Sequence, residues 1–406
     1  MTKRVALGMS GGVDSSVSAA LLKEQGYDVT GVYLECWRAP GCRAEEDRKD
    51  ALAVALQLGI PFTVLDFKEA YRQKVVEYFF REYEAGRTPN PDVLCNKEIK
   101  FGLFYDWAME QGFDYVATGH YARVQGLGVR GQNTNLQPLA SNLSLCTSKD
   151  AHKDQTYFLY RLRGEQLEHI LFPIGHLLKS QVRELAASYE LPTSTKPDSQ
   201  GICFIGEINV HNFLKERLGE RPGNVVDTKG RIIGRHNGLW FYTIGQRHGF
   251  ELTPHLPSDE VNKHAIPPFY VIAKDAAKNE LIVGFGSETY RDTFRVEDIH
   301  WITSPFTSPL VEGGLERGVF VRIRHTGKLL PCTIALLPLI EGEGGGGGGV
   351  TQQPRLRVQL AEPTQGIASG QSAVLYTPCH PVGDSGAHLH TGSSDFVCLG
   401  GGIIAE

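Results

Sequence analysis

Short apolar runs alternate with longer amphipathic stretches through the first third of the chain. Lys3 to Leu7 is an apolar run ahead of a glycine turn and reads as a buried strand. Val17 to Gln25 has helical composition and stops at Gly26. Tyr27 to Leu34 is a second strand, Glu45 to Leu58 a second helix ended by Gly59 and Pro61, and Phe62 to Asp66 a third strand. Helical segments follow from Glu69 to about Glu84 and from about Lys97 to Gln111, then a strand at Tyr115 to Thr118. Strand and helix in alternation predict an α/β domain on a mostly parallel sheet, with ligands beyond the carboxyl ends of its strands.

The pattern changes after His120. Gly126 to Ser144 is polar and turn-rich and reads as a surface loop, while helical character returns at Gln155 to Leu162 and Lys179 to Tyr189. Beyond Pro268 come short alternating runs, FYVIAKD, ELIVGF, VFVRIR, RLRVQL and SAVLY, which predict a compact β-barrel. CLGGGII is placed to close a last strand. Residues 251–265 and 341–354, the latter with six consecutive glycines, read as loops. The expected division is therefore an α/β domain with a Rossmann-like parallel sheet over 1–208, a small central domain over 209–268 and a C-terminal β-barrel over 269–406.

Composition narrows the classes. The 406 residues are enough for two or three domains without a disulfide scaffold. A formal charge of −5 argues against non-specific coating of nucleic acid, yet residues 211–250 carry seven Lys or Arg against three Asp or Glu. The eight cysteines contain no CxxC pair, which disfavours a zinc finger or a simple four-cysteine cluster. No stretch approaches the roughly 20 apolar residues of a membrane span, and the N-terminus runs straight into a strand. No membrane and a cytoplasmic location are expected.

The strongest local signal is Gly8-Met9-Ser10-Gly11-Gly12-Val13-Asp14-Ser15-Ser16, between a strand and a helix. Its glycines let N–H groups approach a ligand, and Ser15 and Ser16 open a helix whose positive end suits a phosphate. Asp14 cannot attract phosphate itself, so Mg²⁺ or loop geometry is its role. Neither a Walker A loop nor GxGxxG is present. SGGVDSS resembles instead the loop of ATP pyrophosphatases, which cleave between the α and β phosphates, adenylate an oxygen and displace AMP with a nucleophile.

Further blocks narrow that group. Thr88-Pro89-Asn90-Pro91-Asp92-Val93-Leu94-Cys95-Asn96, Ala117-Thr118-Gly119-His120-Tyr121, Lys153-Asp154-Gln155-Thr156-Tyr157-Phe158-Leu159, Asp198-Ser199-Gln200-Gly201-Ile202-Cys203-Phe204-Ile205-Gly206 and Tyr242-Thr243-Ile244-Gly245-Gln246-Arg247 lie in order. Together they resemble the tRNA-specific 2-thiouridylases. The resemblance implies an adenine nucleotide alpha hydrolase-like fold, ATP with Mg²⁺ as cofactors, tRNA as partner, and a cysteine desulfurase or sulfur-relay protein as donor. It implies C2 thiolation of uridine 34 in lysine, glutamate and glutamine tRNAs.

Residue roles follow from the same resemblance. Cys203 would carry a persulfide and Cys95 would be the partner nucleophile, the pair ending as a disulfide. On its residues alone, Cys95 sits on a Pro- and Asn-rich turn just before a helical stretch, where a thiol has a lowered pKa. Asn90, Pro91 and Asp92 would face the target base, with Asp92 orienting it or assisting proton transfer. Gly119 would let the backbone approach ATP, while His120 reads as a packed neighbour. Leu34 stands where the family usually has a methionine beside adenine. Lys153, Asp154 and Gln155 would contact tRNA; the basic middle region, with Arg217, Arg221, Lys229, Arg231, Arg235 and Arg247, offers a second contact face by its charge. Arg322, Arg324 and His325 offer a third, and fall where relatives carry a fuller Arg-Tyr-Arg pattern, so His325 departs from it.

Three other functions remain open on the sequence. An ATP pyrophosphatase forming a C–N bond in a small molecule would not need Cys95 or Cys203. A non-catalytic tRNA-binding protein would release no AMP. An iron–sulfur thiolase would hold iron on dispersed cysteines.

Overall fold

A computed structural model describes residues 2–38, 42–126, 143–198, 209–252, 268–303, 316–337, 354–379 and 395–405. The first sheet is built from β1 (Arg4–Gly8), β2 (Asp28–Glu35), β3 (Phe62–Asp66) and β4 (Tyr115–Thr118), with the short β7 (Ile170–Leu171) at its edge. Its order is β3-β2-β1-β4-β7, and every pairing is parallel. Helix α1 (Val13–Glu24) links β1 to β2, and α2 (Ala44–Leu58) links β2 to β3. Gly59 ends α2 in the left-handed conformation, its N–H meeting the Ala55 and Leu56 carbonyls.

Side-chain alternation along these strands splits the core in two. Val5 and Leu7 of β1 pack with Val17, Leu22, Val54 and Val182 on one face. Ala6, Val32 and Leu34 point the other way, into an aromatic cluster with Tyr71, Phe79 and Phe104. That cluster is supplied by two long helical runs, α3 (68–84) and α4 (91–110). Each changes from α to π geometry on the way, at Arg72–Val76 and Cys95–Leu103.

Of the segment expected as a loop, Gly126 to Ser144, residues 127–142 lie outside the described residues, as do 253–265 and 341–353 of the other two expected loops; the ends of the first belong to strands. β5 (Ala122–Gly126) and β6 (Leu143–Thr147) form an antiparallel hairpin, and β6 joins the C-terminal sheet through β18. Nothing in five polar-edged residues announces such a strand, because its pairing partner lies some 250 residues away in sequence.

The middle sheet has the order β10-β9-β8-β12-β11. Its strands are β8 (Gly223–Val226), β9 (Ile232–His236), β10 (Glu251–Leu252), β11 (Tyr270–Asp275) and β12 (Glu280–Gly284). FYVIAKD and ELIVGF therefore belong here and not in the barrel, and a boundary at 268 cuts this sheet. Alternation shows that a strand has two unlike faces; it does not show which sheet it will join.

The barrel comprises β13 (Tyr290–Trp301), β14 (Glu316–Arg322), β15 (Leu330–Leu337), β16 (Arg355–Gln365), β17 (Ser372–Pro378) and β18 (Phe396–Ala405). The order β13-β16-β15-β14-β17-β18, with β18 paired back to β13, closes it. CLGGGII is the closing strand, as expected. Val296, Val321, Ile334, Val358 and Leu375 fill the interior. Among the described residues, no helix is long and apolar enough to cross a membrane.

Candidate active site

The loop after β1 sits where the strand order reverses between β1 and β4, the place where such sheets open a crevice. Met9 is buried, and its N–H donates to the Val32 carbonyl at 2.8 Å. Gly11 has φ +74°, and a Cβ there would lie 2.1 Å from the Asp47 carbonyl oxygen, so only glycine fits. Helix α1 then begins at Val13, two residues earlier than Ser15. No side chain caps it at Gly12. The Ser15 and Ser16 hydroxyls donate backwards to the Gly12 carbonyl at 3.1 and 2.8 Å, leaving the first-turn N–H groups uncapped by side chains. Gly119 follows β4, and a Cβ on it would lie 2.7 Å from the Ser15 nitrogen. Its close approach is thus to the loop itself.

Five charged side chains gather beside this loop. Asp14 accepts from the Tyr121 hydroxyl at 2.9 Å and from Lys179 at 2.7 Å, both on Oδ1. Lys179 opens α6 (Lys179–Ser188), which follows the single turn α5 (Thr156–Leu159), and also reaches Asp198 at 3.0 Å. Asp198 further receives Lys153 at 2.6 Å and Arg183. Burial would raise the Asp198 carboxyl, but Lys153, Lys179 and Arg183 outweigh it and hold the group well below the usual carboxylate range. Lys196 braces the loop from the other side, donating to the Gly11 carbonyl at 2.9 Å and pairing with Asp47 at 2.7 Å and with Asp50.

Two roles were open for Asp14, and this geometry favours the anchor. Its Oδ1 already takes a hydroxyl and an ammonium, and among the described residues no three His, Cys, Asp or Glu gather into a metal site. Among the described residues, the side chains around Asp14 do not by themselves form a metal centre.

The Cys95 segment is built differently. The Asn90 side chain caps the helix, its Oδ1 accepting from the Val93 N–H at 3.3 Å, with Pro91 at the first helical position. Asp92 is half-buried in the first turn. The helix starts before Cys95, so the expectation that Cys95 precedes it is corrected: the thiol lies in the second turn, where α changes to π geometry. Cys95 is fully buried, in the aromatic cluster. The strap before it is tied from two directions. The Thr88 N–H donates to the Ser369 carbonyl at 2.9 Å, and Lys274 of β11 donates to the Gly86 carbonyl at 2.9 Å. Burial pushes the Lys274 ammonium down to about 8.

A cavity of about 210 Å³ opens between α4 and the barrel. Asn90, Val93, Leu94 and Lys97 line it, one face of the helix, with Tyr160 and Ser372 opposite. Asp92 and Cys95 lie on another face. Cys203 lies outside the described residues. Leu34 is buried in the same aromatic cluster as Cys95. His120 is buried and packed as expected, with Nδ1 2.8 Å from the Thr118 hydroxyl. Burial, aided by the neighbouring Lys100 charge, pushes its pKa far down and keeps the ring neutral.

The residues expected on tRNA divide. Asp154 is buried, accepts from the Ser148 N–H at 3.0 Å and pairs with Arg322 of β14 at 2.6 Å. That carboxylate is spent on joining the α/β domain to the barrel. The Gln155 side-chain oxygen accepts from the Tyr121 N–H at 2.9 Å. His325 is half-buried with its ring 4.2 Å from that of Phe158, and burial together with Arg322 lowers its pKa. Arg324 is exposed, as are Arg221, Lys229, Arg235 and Arg247, and none of these five makes an ion pair among the described residues. Arg217 and Arg231 are paired with Glu77 and Asp227. Sequence reasoning missed Lys179, Arg183 and Lys196; it quoted Tyr121 only within a motif, and it offered Arg322 as a basic RNA contact where the structure pairs it with Asp154. One signal was available for Lys179: a cation at the first position of a helix opposes the helix dipole.

Fold and loop define an α/β nucleotide-domain protein that carries two further β-structures. Residues 3–207 match the model of the tRNA methyl transferase HUP domain, 211–285 the tRNA methyl transferase PRC-barrel domain, and 349–404 the aminomethyltransferase beta-barrel domain. The chain is 41% identical to the tRNA-specific 2-thiouridylase MnmA of Shouchella clausii, over 99% of this chain and 96% of that one. It is 42% identical to the protein of that name from Streptococcus thermophilus, over 99% and 95%. With that of Akkermansia muciniphila it shares 47% identity over 72% and 77%. The chain belongs to the tRNA-specific 2-thiouridylase family.

Proposed function

We propose that this protein is an ATP-dependent sulfurtransferase that converts C2 of uridine 34 in lysine, glutamate and glutamine tRNAs to the 2-thio form. The observation that carries the reading is the likeness to named thiouridylases along nearly the whole chain. The loop geometry supports the first half of the chemistry. ATP, entering as its magnesium complex with the metal carried by the phosphates, lies over residues Gly8 to Ser15 with adenine towards Leu34 and Gly119. The uncapped first turn of α1 receives its phosphates. The C2 oxygen attacks the α-phosphate, pyrophosphate leaves, and the oxygen becomes a leaving group as AMP.

Sulfur arrives on Cys203 as a persulfide from a cysteine desulfurase or a relay protein. The Cys95 thiolate attacks the inner sulfur, forming a Cys95–Cys203 disulfide and releasing hydrosulfide, which adds to C2 and expels AMP. A dithiol reductant then resets the pair. Asp92 orients the base from the first turn of α4, and Asn90 and Pro91 border it. Cys95 is fully buried, so this scheme requires α4 to shift when tRNA binds. Lys153, Gln155, Arg324 and the exposed middle-domain arginines supply phosphate contacts, and the anticodon base is turned out of its stack. The reaction is placed in the cytoplasm.

Nucleoside mass spectrometry on unmodified tRNA incubated with protein, Mg-ATP, and a cysteine desulfurase with its cysteine substrate as persulfide donor tests this. ATP-dependent 2-thiouridine that disappears in Cys95→Ala is expected. AMP release with a small-molecule acceptor and no thiolated nucleoside would overturn it in favour of a C–N ligase.

A further inference from the structure

We propose that Lys179 is the protein's cation for the departing pyrophosphate, held in readiness by Asp14 and Asp198. The inference rests on the ATP-pyrophosphatase reading above and adds a residue that neither the loop motif nor the cysteine blocks contain.

The placement of Lys179 has no local explanation. It is the first residue of α6, where its charge works against the helix dipole, so helix stability does not account for it. It extends a long stem into a largely buried position, with its side chain 14% exposed, and gives up side-chain entropy to do so. What it gains is contact with Asp14, in the first turn of α1, at 2.7 Å. The ammonium therefore stands beside the uncapped N–H groups that open α1. The first N–H of α6 is taken by Asp150 at 2.9 Å, and only the Lys179 side chain extends to the start of α1.

The pattern of ion pairs singles out the same residue. Lys153, Lys179 and Arg183 face Asp14 and Asp198, and a third carboxylate, Asp150, takes the Lys179 backbone N–H at 2.9 Å, so the group is balanced until a phosphate arrives. Of these three cations, Lys153 and Arg183 pair only with Asp198, whereas Lys179 touches both Asp198 and Asp14 and so reaches the start of α1; Lys196, on the other side of the loop, is committed to the Gly11 carbonyl, Asp47 and Asp50. When pyrophosphate forms, Lys179 can exchange the Asp14 carboxylate for a phosphate oxygen while Asp198 keeps its position. The step moves no covalent bond; it neutralises charge that grows on the leaving group. Asp14 is then a positioning residue: it aims the lysine and binds no phosphate itself.

The test is calorimetric titration of the full chain with inorganic pyrophosphate, with α,β-methylene-ATP and with AMP. Lys179→Gln should weaken the first two ligands about 10- to 100-fold, the range of one hydrogen bond to a charged group, and leave AMP within about threefold. Lys179→Arg, which keeps the charge, should retain pyrophosphate to within about fivefold of wild type. Equal weakening of AMP and pyrophosphate, or unchanged pyrophosphate affinity in Lys179→Gln, overturns the proposal. If Lys179→Gln does not fold, Lys179→Arg decides, since loss of pyrophosphate binding in that folded variant also overturns it. Failure of the wild-type protein to bind the ATP analogue would instead sink the nucleotide reading itself.

Discussion

The nucleotide loop and the Cys95 segment sit on the same domain yet are held by opposite means. Around the loop, charge does the holding: Lys196 pins the Gly11 carbonyl, and Lys179 joins Asp14 to Asp198. Around Cys95, packing does it, since the thiol is enclosed by aromatic and aliphatic side chains of α3 and α4. A charged cradle is specific for an anionic ligand and stays accessible to it. A packed thiol is shielded from solvent and oxidants until something moves. The difference matches the chemistry proposed for each, because phosphate binding must be reversible and fast whereas a nucleophilic sulfur is best exposed only with substrate present.

Breaking each side should give different signatures. The largest effect is expected from Cys95→Ala, which should lower tRNA thiolation by on the order of 100-fold or more while stability changes by about 1 kcal/mol. Mass spectrometry of product and a thermal melt read the two separately. A large fall in melting temperature with thiolation retained would contradict the role given to Cys95.

Next in size is the tie between the α/β domain and the barrel. Asp154→Ala leaves Arg322 buried without its partner and should cost about 3–5 kcal/mol, whereas replacing both by apolar residues of similar volume should cost less. Denaturant unfolding of the two variants checks this order. A double variant as unstable as the single one would show that packing, and not the stranded charge, dominates.

The smaller effects are in pH. Asp198 has a depressed pKa in the folded protein, so its ion pairs stabilise fully above the ordinary carboxylate value of 3.8 and lose that contribution as pH falls through the folded value. Asp198→Asn should therefore flatten the acid limb of a stability profile. Lys274 behaves in the reverse sense. Its folded pKa is pushed down to about 8 from an ordinary 10.5, so the unfolded chain holds the extra proton between those values. Stability should rise with pH across that window, and Lys274→Met should remove this rise. Thermal melts extended from about pH 2 to about pH 11 contain both tests.

Much of the α/β domain was legible because its signals are local. Phe62 to Asp66 and Tyr115 to Thr118 are strands with the expected limits, and α2 stops at the glycine that composition pointed to. Failures came where a partner distant in sequence decides. β6 pairs with β18, and β11 and β12 pair into the middle sheet, through contacts that alternation cannot encode. The site shows the same split. Gly11 was readable because a tight turn demands a residue without a side chain. Asp154, expected on RNA, is buried against Arg322, 168 residues further along, a pairing that no local signal announces.

By itself the sequence determined the family and the nucleotide loop, and it singled out Cys95 and Cys203 as the thiols to test, because each signal is written in contiguous residues. The tertiary structure alone decided that Asp14 anchors a lysine, that Cys95 is enclosed within the α/β core, and that the barrel is joined to the α/β domain by a shared sheet and a buried ion pair. Charge pairing and burial are properties of three-dimensional neighbours, and chain order does not specify them.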